Sequence, residues 1–158
     1  MNKRILALFA LALIAVTSDA YAQKATIRLG GGFLTPGSAI GGGAGLDVSI
    51  PGLPVAIGVN AEYFTKSGTK FIPITVVGLI KKSVPKLSVF AGGGGGYAIN
   101  DTGFGKINKP VITGMGGAIV SLMPLIGVYG KVQYYRQIVS GAANTVVYGG
   151  GVAISLGI

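Results

Sequence analysis

The chain has 158 residues and contains no cysteine, histidine or tryptophan, which excludes thiol chemistry, disulfides and the usual Ser–His and Cys–His nucleophile systems. Half of the residues are hydrophobic and only 11% are charged, too little charge to cover a water-soluble domain, so the outer surface is expected to face something other than water. The formal net charge of +9 favours anionic partners; the basic residues are spread thinly between uncharged stretches rather than clustered with aromatics, which argues against nucleic acid and for anionic lipid headgroups.

The first element is not part of a fold. Lys3 and Arg4 precede an apolar run from Ile5 to Val16, and Ala20-Tyr21-Ala22 follows. This is the layout of a secretory signal peptide over residues 1–22, cut before Gln23. Its apolar core is shorter than the ~18 residues expected of a spanning helix. Residues 23–158 then make a single domain with 11 basic and 3 acidic residues, a net charge near +8.

Strand-like stretches follow in chain order at 24–34, 42–50, 55–65, 70–82, 86–98, 110–122, 126–138 and 144–158. Each is near the ~9–11 residues that a tilted membrane strand requires, and eight is an even number, as bacterial barrels have. In the first two, Ile27, Leu29 and Phe33 oppose Thr26 and Arg28, and Leu46, Val48 and Ile50 oppose Asp47 and Ser49. The third sets Val55, Ile57, Val59, Ala61 and Tyr63 against Ala56, Gly58, Asn60 and Glu62. The eighth sets Val146, Tyr148, Val152, Ile154 and Leu156 against Val147, Gly149, Gly151, Ala153 and Ser155. This period of two suits strands with lipid on one side and a polar or small-residue interior on the other. The fourth and sixth strands alternate poorly and their faces stay unassigned.

The turns differ by end. Pro51-Gly52-Leu53-Pro54, Ser83-Val84-Pro85 and Met123-Pro124-Leu125 are short and proline-bearing, whereas connections near 35–41, 66–69, 99–109 and 139–143 are polar. Proline has no N–H for a ladder and belongs at such turns. With the polar loops at one end, Phe33, Tyr63, Phe64, Phe71, Tyr97, Tyr134, Tyr135 and Tyr148 gather there as an aromatic girdle. Phe90 and Tyr129 are the candidates for the opposite girdle. Glycine runs such as Gly92 to Gly96 are expected to relieve crowding inside a narrow barrel and to allow strong curvature. The expected fold class is all-β: an eight-stranded antiparallel up-and-down transmembrane β-barrel.

With its signal peptide, eight strands, short proline turns and C-terminal strand of outward apolar residues, the chain resembles the outer-membrane β-barrel superfamily of the OmpA/OmpX type over residues 23–158. The resemblance is one of pattern. It implies a structural protein, adhesin or narrow channel, a monomer in the bacterial outer membrane, and the barrel assembly machinery as a partner during biogenesis. Family barrels usually end in phenylalanine; this chain ends Ile154-Ser155-Leu156-Gly157-Ile158, keeping the alternation without the aromatic. The longest polar loop, about Ile99 to Lys109, is modest for an adhesin.

Two groups of residues are candidate sites. Arg28, Asp47, Glu62 and Lys131 fall on inward faces with Asn60 and Gln133, where opposite charges should pair because an unpaired buried charge is very costly. They make either a static plug or a gate in which Arg28 or Lys131 exchanges between Asp47 and Glu62. Lys66, Lys70, Lys106, Lys109 and Arg136 map to the extracellular rim, where they are placed to meet lipopolysaccharide phosphates. Lys81, Lys82 and Lys86, beside a proline turn at the other end, read as solvated charges. The glycine runs lack the Gly-Lys-Ser/Thr ending of a phosphate loop, and no residue cluster has transition-metal ligand spacing. No enzyme activity, cofactor or metal is expected. A helical membrane protein using 110–130 and 137–158 is disfavoured by Pro124 and many glycines, each costing roughly 1 kcal/mol in a helix relative to Ala. A soluble lipocalin-like barrel would need the opposite facing of polar and apolar residues.

Overall fold

A computed structural model of the protein describes residues 24–101, 105–138 and 144–157. The expected signal peptide and its cut before Gln23 lie outside the described residues. Eight strands run in chain order: β1 (Lys24–Thr35), β2 (Ala39–Ser49), β3 (Val55–Lys66), β4 (Thr69–Val84), β5 (Leu87–Asp101), β6 (Lys106–Ser121), β7 (Ile126–Gln137) and β8 (Asn144–Gly157). Each pairs antiparallel with its neighbours, and β1 pairs with β8 from Lys24↔Gly157 to Thr35↔Val146, so the sheet closes into a barrel. Residues 110–130, one of the two stretches weighed as a helix, are most of β6, a turn and the start of β7.

Local chemistry sets the hairpins. Ser67 and Gly68 connect β3 and β4 with φ of 47° and 83°, the two positive values of a two-residue type I′ turn. Between β4 and β5, Pro85 is followed by Lys86 at φ 66°, as in a type II turn. The loop expected over Ile99–Lys109 is largely strand instead. Asn100 and Asp101 pair with Ile107 and Lys106 on one side and with Phe71 and Lys70 on the other. Backbone pairing on both edges, with opposite charges facing across, keeps these polar residues in the ladder. The β2 strand likewise begins at Ala39, three residues before the expected start.

Burial alternates most cleanly along β3, β4 and β7 and is blurred through the glycine runs of β2, β5, β6 and β8. Leu29, Leu46, Ile57, Val76, Ile80, Val128, Val132 and Val152 project outward and are exposed, the arrangement of a barrel meant for acyl chains. On β4, Pro73, Thr75, Val77 and Leu79 turn inward; on β6, Val111, Thr113, Met115 and Ile119 do. Both faces of these two strands are mainly apolar, which is why their sequence pattern leaves the facing open. Pro73 also marks a local gap: the β3–β4 pairing passes from Ala61↔Ile74 to Phe64↔Phe71 without the two intervening pairs, where proline has no N–H to give.

Close approach requires glycine on β5. A Cβ on Gly92, Gly94 or Gly96 would run into the β4 carbonyl oxygens of Gly78, Val76 and Ile74, so these inward positions let the wall bend tightly.

Among the described residues the interior holds two apolar clusters. One, extending toward the proline turns, comprises Ala56, Val77, Leu79, Phe90, Met115, Ile119, Tyr129 and Ala153. The other, toward the polar-loop end, comprises Leu34, Phe64, Ala98, Val111, Tyr135 and Val147, with Ala39 and Phe71 packed against it.

Candidate functional site

A polar network joins the two clusters. From β1, Arg28 donates through Nε and Nη2 to both Asp47 oxygens, at 3.1 and 2.7 Å, and through Nη2 to Asn60 Oδ1 at 2.9 Å. Its guanidinium carbon lies 5.2 Å from the Phe90 ring centre and 5.9 Å from that of Tyr129, within cation–π range. Lys81 Nζ sits 3.1 Å from the Asp47 carboxylate, and its side chain is largely buried. On the other side of Asn60, whose amide points at Met115 Sδ 3.9 Å away, Glu62 accepts from Lys131 Nζ and, at 2.7 Å, from Tyr135 Oη. Lys131 also donates to Gln133 Oε1 at 2.8 Å, and Gln133 donates to Thr113 Oγ1 at 3.1 Å. Arg28 and Asp47 are essentially inaccessible to solvent, so the ion pairs and hydrogen bonds offset the loss of hydration.

The structure brings the four inward charges into two pairs, Arg28–Asp47 and Lys131–Glu62. It differs from the sequence expectation at Lys81, which is no freely solvated charge but a third lumen cation. The β4 strand runs through Lys81 to Val84, and at that register the ammonium reaches inward to Asp47. Phe90 and Tyr129 are also reassigned. They form no girdle at the proline-turn end, because their strand parity turns them inward against Arg28.

Room for the charges comes from glycines on neighbouring strands. Arg28 pairs in register with Gly45, Asp47 with Gly58, Glu62 with Gly43, and Lys131 with both Gly117 and Gly149. A Cβ on Gly58 would stand 2.6 Å from Asp47 Oδ1, one on Gly43 2.7 Å from Glu62 Cγ, and one on Gly45 3.0 Å from Arg28 Nη2. The cavity left between this network and the glycine wall of β1, β2 and β8 is about 10 Å³, at the lower limit for one water and far below a solute.

At the polar-loop end the aromatics divide by face. Phe33, Tyr63, Tyr97, Tyr134 and Tyr148 are exposed on the outside, with Phe33 and Tyr148 stacked 5.1 Å apart. Phe64, Phe71 and Tyr135 turn inward and cap the lumen, the last two edge to face at 5.7 Å. The rim cations divide in the same way. Lys70, Lys106 and Arg136 occupy outward positions of β4, β6 and β7, whereas Lys66 and Lys109 fall on the inward alternation at the mouth. Asp101 lies in register between Lys70 and Lys106, so the outward rim alternates charge there, a feature that an expected loop over Ile99–Lys109 hides for Asp101 and Lys106.

No family model and no curated protein matches this sequence. Solved structures do match. The N-terminal β-barrel domain of Pseudomonas aeruginosa OprF superposes with a TM-score of 0.67 at 9% identity, covering 84% of this chain and 97% of that one. Neisserial surface protein A gives 0.66 at 9% identity, covering 88% of this chain and all of its own. Ail, the attachment invasion locus protein of Yersinia pestis, gives 0.60 at 10% identity, with 87% of this chain and all of that one covered. At such identities the likeness speaks for architecture and leaves function to the site. This chain has the fold of the small eight-stranded outer-membrane β-barrels.

Proposed function

We propose that the protein is a non-enzymatic integral outer-membrane barrel with a closed, side-chain-filled lumen and a structural, envelope-maintaining role. The observation that carries this reading is the filled interior: paired charges span it, apolar clusters lie on both sides, and the cavity beside the ion pairs is only about 10 Å³. The outward apolar wall and the outer-membrane barrels it superposes on support the location. Export through a cleaved signal peptide, delivery by the barrel assembly machinery and a monomeric state complete the proposal. Planar-bilayer recordings of purified protein test it. The expected result is silence from both wild type and Glu62→Ala, whereas discrete conductance steps from wild type would establish the narrow-channel alternative instead.

The rim cations are proposed to hold lipopolysaccharide phosphates, with Lys70, Lys106 and Arg136 as the outward contributors and Lys66 and Lys109 nearer the mouth. Lysine and arginine make charge-assisted hydrogen bonds to phosphate oxygens, and the tyrosines just below them suit the membrane interface. Reversing Lys70, Lys106 and Arg136 together should weaken binding of lipopolysaccharide to the purified barrel. Unchanged binding would remove the rim from the account.

A further inference from the structure

We infer that the polar-loop end carries a dead-end binding cup for a small single-chain amphiphile with an anionic head. The cup is a cavity of about 360 Å³ between the β1–β2 and β3–β4 hairpins, with a wall and floor of Leu34, Ala39, Phe64 and Phe71. Its volume falls at the lower end of small-ligand sites, roughly 300–1,000 Å³, which suits one short apolar chain or ring and not a diacyl lipid. The floor is closed, because Leu34 and Phe64 belong to the packed cluster that also contains Val111, Tyr135 and Val147. A molecule entering there is held, not conducted.

The chemistry of the lining selects the head group. Among the described residues Lys66 is the one charged residue lining the cup, and Ser67 and Thr69 add hydroxyls at the mouth. An apolar body on Phe64 and Phe71, with a carboxylate or sulfate at the Lys66 ammonium, satisfies both parts; a cationic amphiphile meets only repulsion. This site is separate from the Arg28–Asp47 and Lys131–Glu62 network; of the proposed lipopolysaccharide rim it shares Lys66 alone, and Lys109 and the outward Lys70, Lys106 and Arg136 lie outside its lining.

Methyl NMR of the mature barrel in zwitterionic-lipid nanodiscs, titrated with decanoate and then with decanol, tests the inference. The outward methyls of Leu29 and Val152 report partition into the bilayer, and those of Leu34 and Ala39 report the cup. Saturable shifts at Leu34 and Ala39, with Leu29 and Val152 moving only in proportion to ligand, are expected. Lys66→Gln should weaken decanoate roughly two- to five-fold, the scale of a partly exposed ion pair, and leave decanol unchanged. Thr69→Trp, at the exposed mouth, should abolish saturation at Leu34, and Ala39→Trp should do so wherever the variant shows the heat-modifiable migration of a folded barrel. Shifts that rise together at all four methyls, or a cup that ignores decanoate because a bilayer acyl chain already fills it, would overturn the proposal.

Discussion

Strands four apart face each other across the lumen, and the two opposed pairs β1/β5 and β3/β7 fill it in different ways. Inward positions of β1 include Gly30 and Gly32, and those of β5 include Gly92, Gly94 and Gly96. The corresponding residues of β3 and β7 are long and polar: Asn60 and Glu62 on one, Lys131, Gln133 and Tyr135 on the other. The Lys131–Glu62 pair therefore spans the β3–β7 direction. Along β1–β5 it is Arg28 that crosses, lying over Phe90. A narrow barrel cannot hold bulk from all walls at one level, so the long side chains of β3 and β7 are offset by the inward glycines of β1 and β5, whose own bulky residues, Arg28 and Phe90, lie elsewhere along their strands.

The sharpest break in this arrangement comes from removing one end of the β3–β7 bridge. Lys131→Met should destabilise the barrel by about 3–5 kcal/mol, because Glu62 is left buried without its cation. Urea unfolding in liposomes measures the loss, and a Glu62→Leu/Lys131→Met double variant should recover most of it. A loss below about 1 kcal/mol for the single variant would mean that Glu62 is not held as a buried charge.

The glycine walls offer a second contrast. Gly94→Ala places a methyl against the Val76 carbonyl, while Gly130→Ala, outward on β7, meets nothing within 4 Å. The first should cost about 1–3 kcal/mol as overpacking. The second should be neutral or stabilising by roughly 0.4–1 kcal/mol through the unfolded chain. Equal effects in the same unfolding assay would show that inward glycine has no packing role.

The smallest effect is expected at Lys81→Met. Asp47 retains both hydrogen bonds from Arg28, so a loss of up to about 1 kcal/mol, that of an ion pair near the barrel mouth, is expected from urea midpoints. A loss as large as that of Lys131→Met would put Lys81 among the residues that hold the lumen together.

Legibility from the sequence followed the contrast between faces. On β3 and β8 one face is apolar and the other polar or small, so a period of two reveals which side is which. The β4 and β6 strands bury Val77, Leu79, Val111 and Ile119 while exposing Val76, Ile80 and Ile112, and no pattern separates two apolar faces. Arg28, Asp47, Glu62 and Lys131 stood out as rare charges in apolar strands. Lys81 did not, because three lysines near a turn look alike until strand parity selects one of them.

Sequence alone determined the class of the fold: alternation, strand-length segments, turn chemistry and scarcity of charge all require a sheet with an apolar outside. Only the tertiary structure decided who meets whom. The pairing of Arg28 with Asp47, the glycine beside each charge and the inward turn of Phe90 and Tyr129 depend on register and on contacts across the lumen. A local pattern records which side of a strand a residue occupies, while the partner across a closed barrel is set by how eight strands stagger as they close.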